Sequence, residues 1–480
     1  MNLEDNVAKI KDKIRNSFHK RLVRLGIRED QISARDEEDP DFKKAKAAVE
    51  AILEDEESFE EARDEYLDEV TFTLFNRIAG IKTMEAESRQ LVPEIIQIRA
   101  QHGDKSFAHN VWLEENPVQS SETLEGLDNF IRAKFNELSN ELPLYSKENP
   151  YDLLPEVHDL KDIINLFNHE ISLNDWKKDD ILGWLYEAYN KKDLELFRET
   201  GAKVEWNKLS IASQMYTPRW VVEFLVNNSL GKYWLEINPD SKIREYHDIA
   251  NAPDEAILES KSVEEIKVID PAAGSGNFLI YAFKLLAEIY EEEGYAGEEI
   301  PSLILKNNLF GLDIDERAVQ IARLQLYIKA KTYNRNTEIE DINVVSSNFH
   351  LPEFDKVKDQ FAIDLEFAAN EREFLEELWN ELREAHKFGS LLTLDDKLER
   401  FMADKKNDDS LGLFDNFNNV ENIETQVLRK LETVIANALD DNYSSNFIKY
   451  QSLDAVKFAE VMLGVNKNNE DYQVNKYNIV

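Results

Sequence analysis

Along the first two hundred positions, apolar residues return at three- and four-residue steps, the spacing of one face of an α-helix. Val7, Ile10, Ile14, Phe18, Leu22 and Leu25 predict an amphipathic helix over 6–25. Segment 29–69 is very acidic, holds no glycine and only Pro40, and reads as helices with exposed carboxylates. Segment 71–101 predicts a core helix. Segment 180–198, carrying Ile181, Leu182, Trp184, Leu185, Tyr186 and Tyr189, predicts another. Pro143, Pro150 and Pro155 break the connection between them. Residues 1–200 therefore read as a helical N-terminal domain.

From about 201 the pattern changes. Short apolar runs predict strands at 266–270, 308–314 and 341–345, and helical patterns at 277–293 and 316–333 alternate with them. That order predicts an α/β fold with a parallel sheet and right-handed crossovers, built from 201–350. Segment 358–445 is polar and helical and breaks the alternation, so 351–470 reads as a helical insertion. Its Asn-, Asp- and Gly-rich stretch at 404–422 reads as a mobile loop. Lys476 to Val480 look like the start of a buried strand, which returns 471–480 to the α/β core.

Composition narrows the chemistry. The 480 residues suffice for two or three domains, and 42% hydrophobic content is ordinary for a soluble globular chain. There is no cysteine, which excludes disulfides, thiolate zinc sites and cysteine nucleophiles. The eight histidines show no ligand spacing, so no metal site is expected. No apolar run is long enough to span a bilayer and the N-terminus has no leader pattern, which predicts a cytoplasmic protein with no membrane partner. The formal charge of −39 opposes binding to a phosphate backbone. The densest basic cluster (Lys9, Lys11, Lys13, Arg15, Lys20, Arg21, Arg24, Arg28) lies on the first helix. It reads either as a phosphate-facing surface or as a solvated helix face.

The most informative stretch is 268–279, Val-Ile-Asp-Pro-Ala-Ala-Gly-Ser-Gly-Asn-Phe-Leu. A strand ends in Asp270-Pro271, a turn of small residues follows, and a helix opens at Asn277. Ligands bind at such carboxyl ends, where glycines admit a close approach and the helix N-terminus offers free N–H groups. A dinucleotide site calls for a third glycine where Leu279 stands. Asp313 ends the second strand, and a carboxylate there suits a ribose because it accepts two hydroxyl donors. Asp315 reads as the N-cap of the next helix, with Ala318 and Val319 inside it. The alternative is that both are helix-start acids. Thr217-Pro218 precedes a helix at 219–228, which Thr217 can cap. Ser346-Ser347-Asn348-Phe349 follows the third strand.

Asp-Pro-x-x-Gly-Ser-Gly-Asn-Phe resembles motif I of the amino-methylating DNA methyltransferases. Ser213 to Val222 resembles their motif X. Ile181 to Tyr189, Thr217 to Gly231 and Tyr281 to Tyr295 are similar to the PglX (BrxX) family, the adenine-specific DNA methyltransferases of BREX phage-defence systems, and Phe75-Asn76-Arg77 fits its helical N-terminal domain. Asn277-Phe278 stands where that family has a His-Met pair and is closer to type IIG enzymes.

The resemblance implies a Rossmann-like S-adenosylmethionine-dependent domain and methyl transfer to adenine N6 of host DNA. It assigns the cofactor to Thr217, Pro218, Asp270, Pro271, Ala272, Gly274, Gly276, Asn277, Phe278, Asp313, Ile314, Asn348 and Phe349. Asp270 would take the amino group of its methionine end, Thr217-Pro218 would lie against its carboxylate, and Asn348 would meet the adenine amino group. Double-stranded DNA, other BREX proteins and phage anti-restriction DNA mimics are the implied partners.

The Asn/Asp-Pro-Pro-Tyr/Phe motif that binds the flipped base is not in this chain, which has no Pro-Pro pair. Asn149-Pro150-Tyr151 is a near miss in the helical domain. The motif is expected after Val480, and the target-recognition domain beyond it. The chain alone is therefore expected to be silent on DNA, its activity returning when the missing segment is supplied. Two other readings stay open. One is the methylase part of a type IIG restriction enzyme, although no convincing Pro-Asp…Glu-x-Lys nuclease motif is found. The other is a non-catalytic, cofactor-binding scaffold of a defence complex.

Overall fold

The computed structural model describes residues 2–33, 36–53, 58–200, 217–339, 341–349, 351, 354, 369–392, 394, 455, 457–462 and 477–479. The chain divides into two compact units, the first reaching Ser213 and the second beginning at Gln214. Ser213 to Tyr216 of the motif X stretch, the 404–422 loop, Lys476 and Val480 lie outside the described residues.

The first unit is helical: α1 (Leu3–Leu25), α2 (Pro40–Ile52), α3 (Phe59–Met84), α4 (Phe107–Glu115), α5 (Leu127–Leu138), α6 (Val157–Glu170), α7 (Leu173–Trp176) and α8 (Ile181–Thr200). All six apolar positions read on α1 are buried. Six of its basic residues are paired with carboxylates of the same unit, while Lys20 is exposed. Lys9 pairs with Glu170, Lys11 with Asp193, and Lys13 with Asp159 and Asp162. Arg15 pairs with Asp68, Arg21 with Asp41 and Glu156, and Arg24 with Glu156. Carboxylates of the same unit balance these charges, which favours the solvated-face reading of this helix over the phosphate-facing one.

The helix expected over 71–101 begins earlier and ends earlier. Ser58 caps α3, its hydroxyl accepting from the Glu61 amide. After Met84 the chain folds back, and the buried carboxylate of Glu85 accepts the amides of Ile95 and Ile96 at 2.8 and 2.9 Å. Arg77 is buried, donating to the carbonyls of Leu144 and Ser146 and to Asp152. Asn149 accepts the Tyr151 amide in a local turn. The Asn-Pro-Tyr near miss thus serves the fold of the helical unit.

In the second unit α9 (Arg219–Val226) runs through a π-helical turn at Asn227–Gly231 into α10 (Lys232–Ile237). Three parallel strands follow, β1 (Val268–Asp270), β2 (Leu309–Asp313) and β3 (Val344–Ser346), in the order β1-β2-β3. Between them lie α11 (Asn277–Glu292) and α12 (Glu316–Tyr333). The third strand starts later than its apolar pattern suggests. The Asn343 amide donates to the carbonyls of Leu305 and Lys306, which holds the chain ahead of Val344 in a side-chain anchor.

The two faces of the sheet are covered differently. On one, Gly311 lies so close to α11 that a Cβ there would stand 2.9 Å from Leu279 Cδ1 and 3.2 Å from Val344 Cγ1. Leu279, in the place of a dinucleotide-site glycine, is therefore a core residue. On the other face Ile269, Phe310, Leu312 and Val345 pack with Phe374, Leu378, Trp379 and Leu382 of α13 (Ala369–Arg383), and with Ala455, Phe458, Ala459 and Val461. The segment read as an insertion thus supplies one of the sheet's two layers. The terminal residues join beside β1. Ile479 bridges Val268 in parallel, Ile269 N donates to Ile479 O at 2.9 Å, and Tyr477 packs edge-on against Phe310. A chain that leaves β3, crosses the second face and returns beside β1 reverses the direction of strand succession there, and such a reversal opens a crevice at the carboxyl ends.

Candidate functional site

The loop between β1 and α11 is held from several sides. Ala273 N donates to Leu312 O at 2.8 Å, and Gly276 N to Ala273 O at 2.8 Å. Gly276 has φ +86°, a backbone that L side chains rarely adopt, and a Cβ on it would strike Ala322 at 2.9 Å. A Cβ on Gly274 would meet nothing within 4 Å, so this glycine faces open space. The first-turn amides of α11, beginning at Asn277, have no partner inside the helix by geometry and end at this loop.

Two carboxylates flank the loop. Asp270 Oδ1 accepts the Ala272 amide at 3.1 Å, while its Oδ2 is buried without a hydrogen-bond partner. An unsatisfied buried acceptor costs about 1–3 kcal/mol and marks a place where a donor is wanted. Burial pushes this carboxyl above its usual range, against the Ala272 amide. Asp313 Oδ2 accepts the Gly274 amide at 2.7 Å, and its Oδ1 accepts the Asp315 amide at 2.8 Å. Burial dominates here too: the Asp313 carboxyl is pushed up to about 6, with the two amides opposing and the charges of Asp315 and Asp270 adding. Asp315 caps α12, its carboxylate accepting the Arg317 amide at 3.0 Å, and Ala318 and Val319 are buried inside that helix, as their pattern indicated.

The structure thus brings Asp270, Pro271, Ala272, Gly274, Gly276, Asn277, Phe278 and Asp313 into one loop system, with Ile314 half-buried at the end of β2. The third strand joins it: Ser346 pairs with Asp313, and Ser347 N donates to Asp313 O at 2.9 Å. Asn348 is half-buried beside this point, its backbone N–H donating to Ser346 Oγ. Phe349 goes elsewhere. Its ring is enclosed in the core and packs edge-on against Phe458 at 5.5 Å, so it supports the second layer of the sheet and offers no ring to a ligand. Thr217 does not cap α9. The N-cap is Pro218, with no side-chain bond, and Pro218 O accepts the amides of Val221 and Val222. The helix that follows Thr217 and Pro218, α9, packs on α11.

Two polar residues of the site had no role assigned from the sequence. Ser347 Oγ is buried without a partner. Gln325, on α12, donates to the carbonyl of Ser275. Ser347 lies in the Ser346–Phe349 stretch, where the role was given to Asn348, and a glutamine in mid-helix carries no local signal. Among the described residues no group of acids and histidines could hold a metal ion, and no helix is long and apolar enough to cross a membrane.

Comparison with known proteins agrees with this geometry. The family model of the MmeI DNA-methyltransferase domain matches residues 249–374. The adenine-specific methyltransferase PglX of Lacticaseibacillus casei (strain Zhang) is 30% identical over 358 residues, which is 64% of this chain and 30% of that protein. The adenine-specific methyltransferase BrxX of Escherichia coli O9:H4 (strain HS) is 39% identical over 179 residues, 35% of this chain and 14% of the relative. The chain resembles the PglX and BrxX methyltransferases. It spans less than a third of the length of either. A putative type II restriction enzyme and methyltransferase of Methanocaldococcus jannaschii, RM.MjaORFECS2P, is 30% identical over 189 residues, 34% of this chain and 14% of that protein.

Proposed function

We propose that this chain carries the S-adenosylmethionine-binding part of a PglX-type, adenine-specific DNA methyltransferase on a Rossmann-like α/β core. The observation that carries the reading is the buried, unpartnered Oδ2 of Asp270 beside the glycine loop. An ammonium donor fits it, and the methionine end of the cofactor supplies one. Asp313 has two further acceptor directions left on its oxygens after the amides of Gly274 and Asp315, which suits ribose hydroxyls. Ile314 would pack against the adenine ring and Asn348 would meet its amino group. When bound, the cofactor supplies an electrophilic methyl group. The residues of this chain orient it: Asp270 and the loop fix the amino-acid end, and Asp313 fixes the sugar.

The acceptor of the target adenine belongs, on this reading, after the strand at Ile479. That strand runs parallel to β1, so its carboxyl end opens on the same edge of the sheet as Asp270. DNA, BREX proteins and DNA mimics are proposed partners through that further part, in a cytoplasmic protein. The MmeI match and the restriction-enzyme relative support a second reading, the methylase part of a type IIG enzyme. Titration calorimetry of the chain with S-adenosylhomocysteine tests the cofactor assignment. Saturable binding that Asp270→Ala removes is expected; no binding by the wild-type chain would overturn it.

A further inference from the structure

Gln325 is buried on α12, and its Nε2 donates to the carbonyl of Ser275 at 2.7 Å. One turn earlier on the same face, Ala322 is the residue that a Cβ at Gly276 would strike. The carbonyl of Ser275 and the N–H of Gly276 belong to one peptide plane, and that plane is rigid. Its oxygen is held by Gln325 and its N–H by Ala273 O. The plane is therefore pinned at both ends, and its tilt sets where the following first-turn amides of α11 point.

The same helix is tied to the loop a second time. Asp315 caps α12, the Asp315 amide bonds Asp313, and Asp313 bonds the Gly274 amide. Loop, Asp313, Asp315, α12 and Gln325 form a closed ring of hydrogen bonds. The ring holds the loop from the ribose side through Asp313 and from the far side through Gln325. Removing Asp313 changes a group that faces the ligand. Removing Gln325 changes only the orientation of the loop.

We infer that Gln325 is a positioning residue for the amino-acid end of the cofactor, acting through the Ser275–Gly276 peptide. The inference rests on the cofactor reading proposed above. It separates two ligand ends. S-adenosylhomocysteine carries the amino-acid end that the loop would hold. 5′-Methylthioadenosine has the same nucleoside and lacks that end. A general loosening of the fold would weaken both; a tilted loop weakens only the first.

The test is calorimetric titration of the full chain with each compound, with thermal melting measured alongside. Gln325→Met keeps the length and volume of the side chain and removes the donor. Gln325→Glu keeps the shape and sets a carboxylate oxygen against the Ser275 carbonyl, so one variant covers a folding failure of the other. Affinity for S-adenosylhomocysteine should fall on the order of tenfold in either variant, the size of one ligand hydrogen bond lost when the loop tilts. Affinity for 5′-methylthioadenosine should stay within about twofold of wild type, the scatter of a substitution that touches no ligand. Equal loss for both compounds, or loss for neither, would overturn the assignment. A wild-type chain that binds neither compound overturns the cofactor reading itself and this inference with it, an outcome separate from any response of the variants.

Discussion

The carboxylate of Asp313 accepts the backbone amide of Gly274 through Oδ2 at 2.7 Å, across 39 positions of sequence. The end of the second strand and the glycine loop after the first are therefore one mechanical unit. A ligand that pulls on the sugar-facing carboxylate also pulls on the loop.

That link has a pH signature. Burial raises the Asp313 carboxyl to about 6, and hydroxyl donors favour its ionised form. Cofactor affinity should fall as pH drops from 7.5 towards 5.5, and Asp313→Asn should remove much of that slope while weakening binding at pH 7.5 by roughly 1.5–3 kcal/mol. Calorimetry across the range checks both. For folding the sign is opposite. The stability gained by protonating Asp313 in the fold is fully present below the ordinary aspartate range and is lost as pH rises through about 6, so the ligand-free Asp313→Asn chain should melt with less dependence on pH there.

Asp270→Ala should abolish binding of S-adenosylhomocysteine without lowering the melting temperature. The side chain is half-buried, with Oδ1 satisfied and Oδ2 buried without a partner, and its removal relieves that acceptor. A melting temperature several degrees lower would show that Asp270 supports the fold instead.

Gly276→Ala adds a Cβ 2.9 Å from Ala322 in a backbone at φ +86°. Strain of about 1–3 kcal/mol from the backbone and a similar overpacking term should lower stability and displace the loop. Denaturant melts should register the loss. Gly274→Ala, with open space around its Cβ, should cost less.

Arg77→Ala leaves the buried Asp152 without its principal partner. Burial works against the Asp152 charge, yet Arg77 and Lys44 together hold it below the usual carboxylate range. Breaking such a pair costs about 3–5 kcal/mol, which should appear as a lower unfolding midpoint of the helical unit.

The basic residues of α1 predict a stability effect and no DNA effect. Lys13→Gln with Arg21→Gln removes partners of Asp159, Asp162, Asp41 and Glu156. The double variant should melt at lower temperature, while retention of duplex DNA in a gel-shift at physiological salt stays as in wild type. A clear drop in DNA retention would restore the phosphate-facing reading.

Much of this molecule was readable from local spacing. The apolar face of α1, the Asp315 cap of α12, and the order of strand, glycine turn and helix at 268–279 all arise from interactions within a few residues, so periodicity and capping chemistry reveal them. The partners of buried polar groups were not readable. The same Lys and Arg pattern suits a nucleic-acid face or a set of internal ion pairs, and only the placement of α2, α3, α6 and α8 around α1 decided for the second. Phe349 looked like part of a ligand contact until the layer bearing Phe458 enclosed it. The helices after 351 looked like an interruption, because nothing local says which side of a sheet they cover. The bonds from Asp313 to Gly274 and from Gln325 to Ser275 span 39 and 50 positions. Such pairings depend on where whole elements dock. A hydrogen bond acts over about 3 Å, so sequence can name its donors and acceptors, while tertiary structure alone chooses which of them meet.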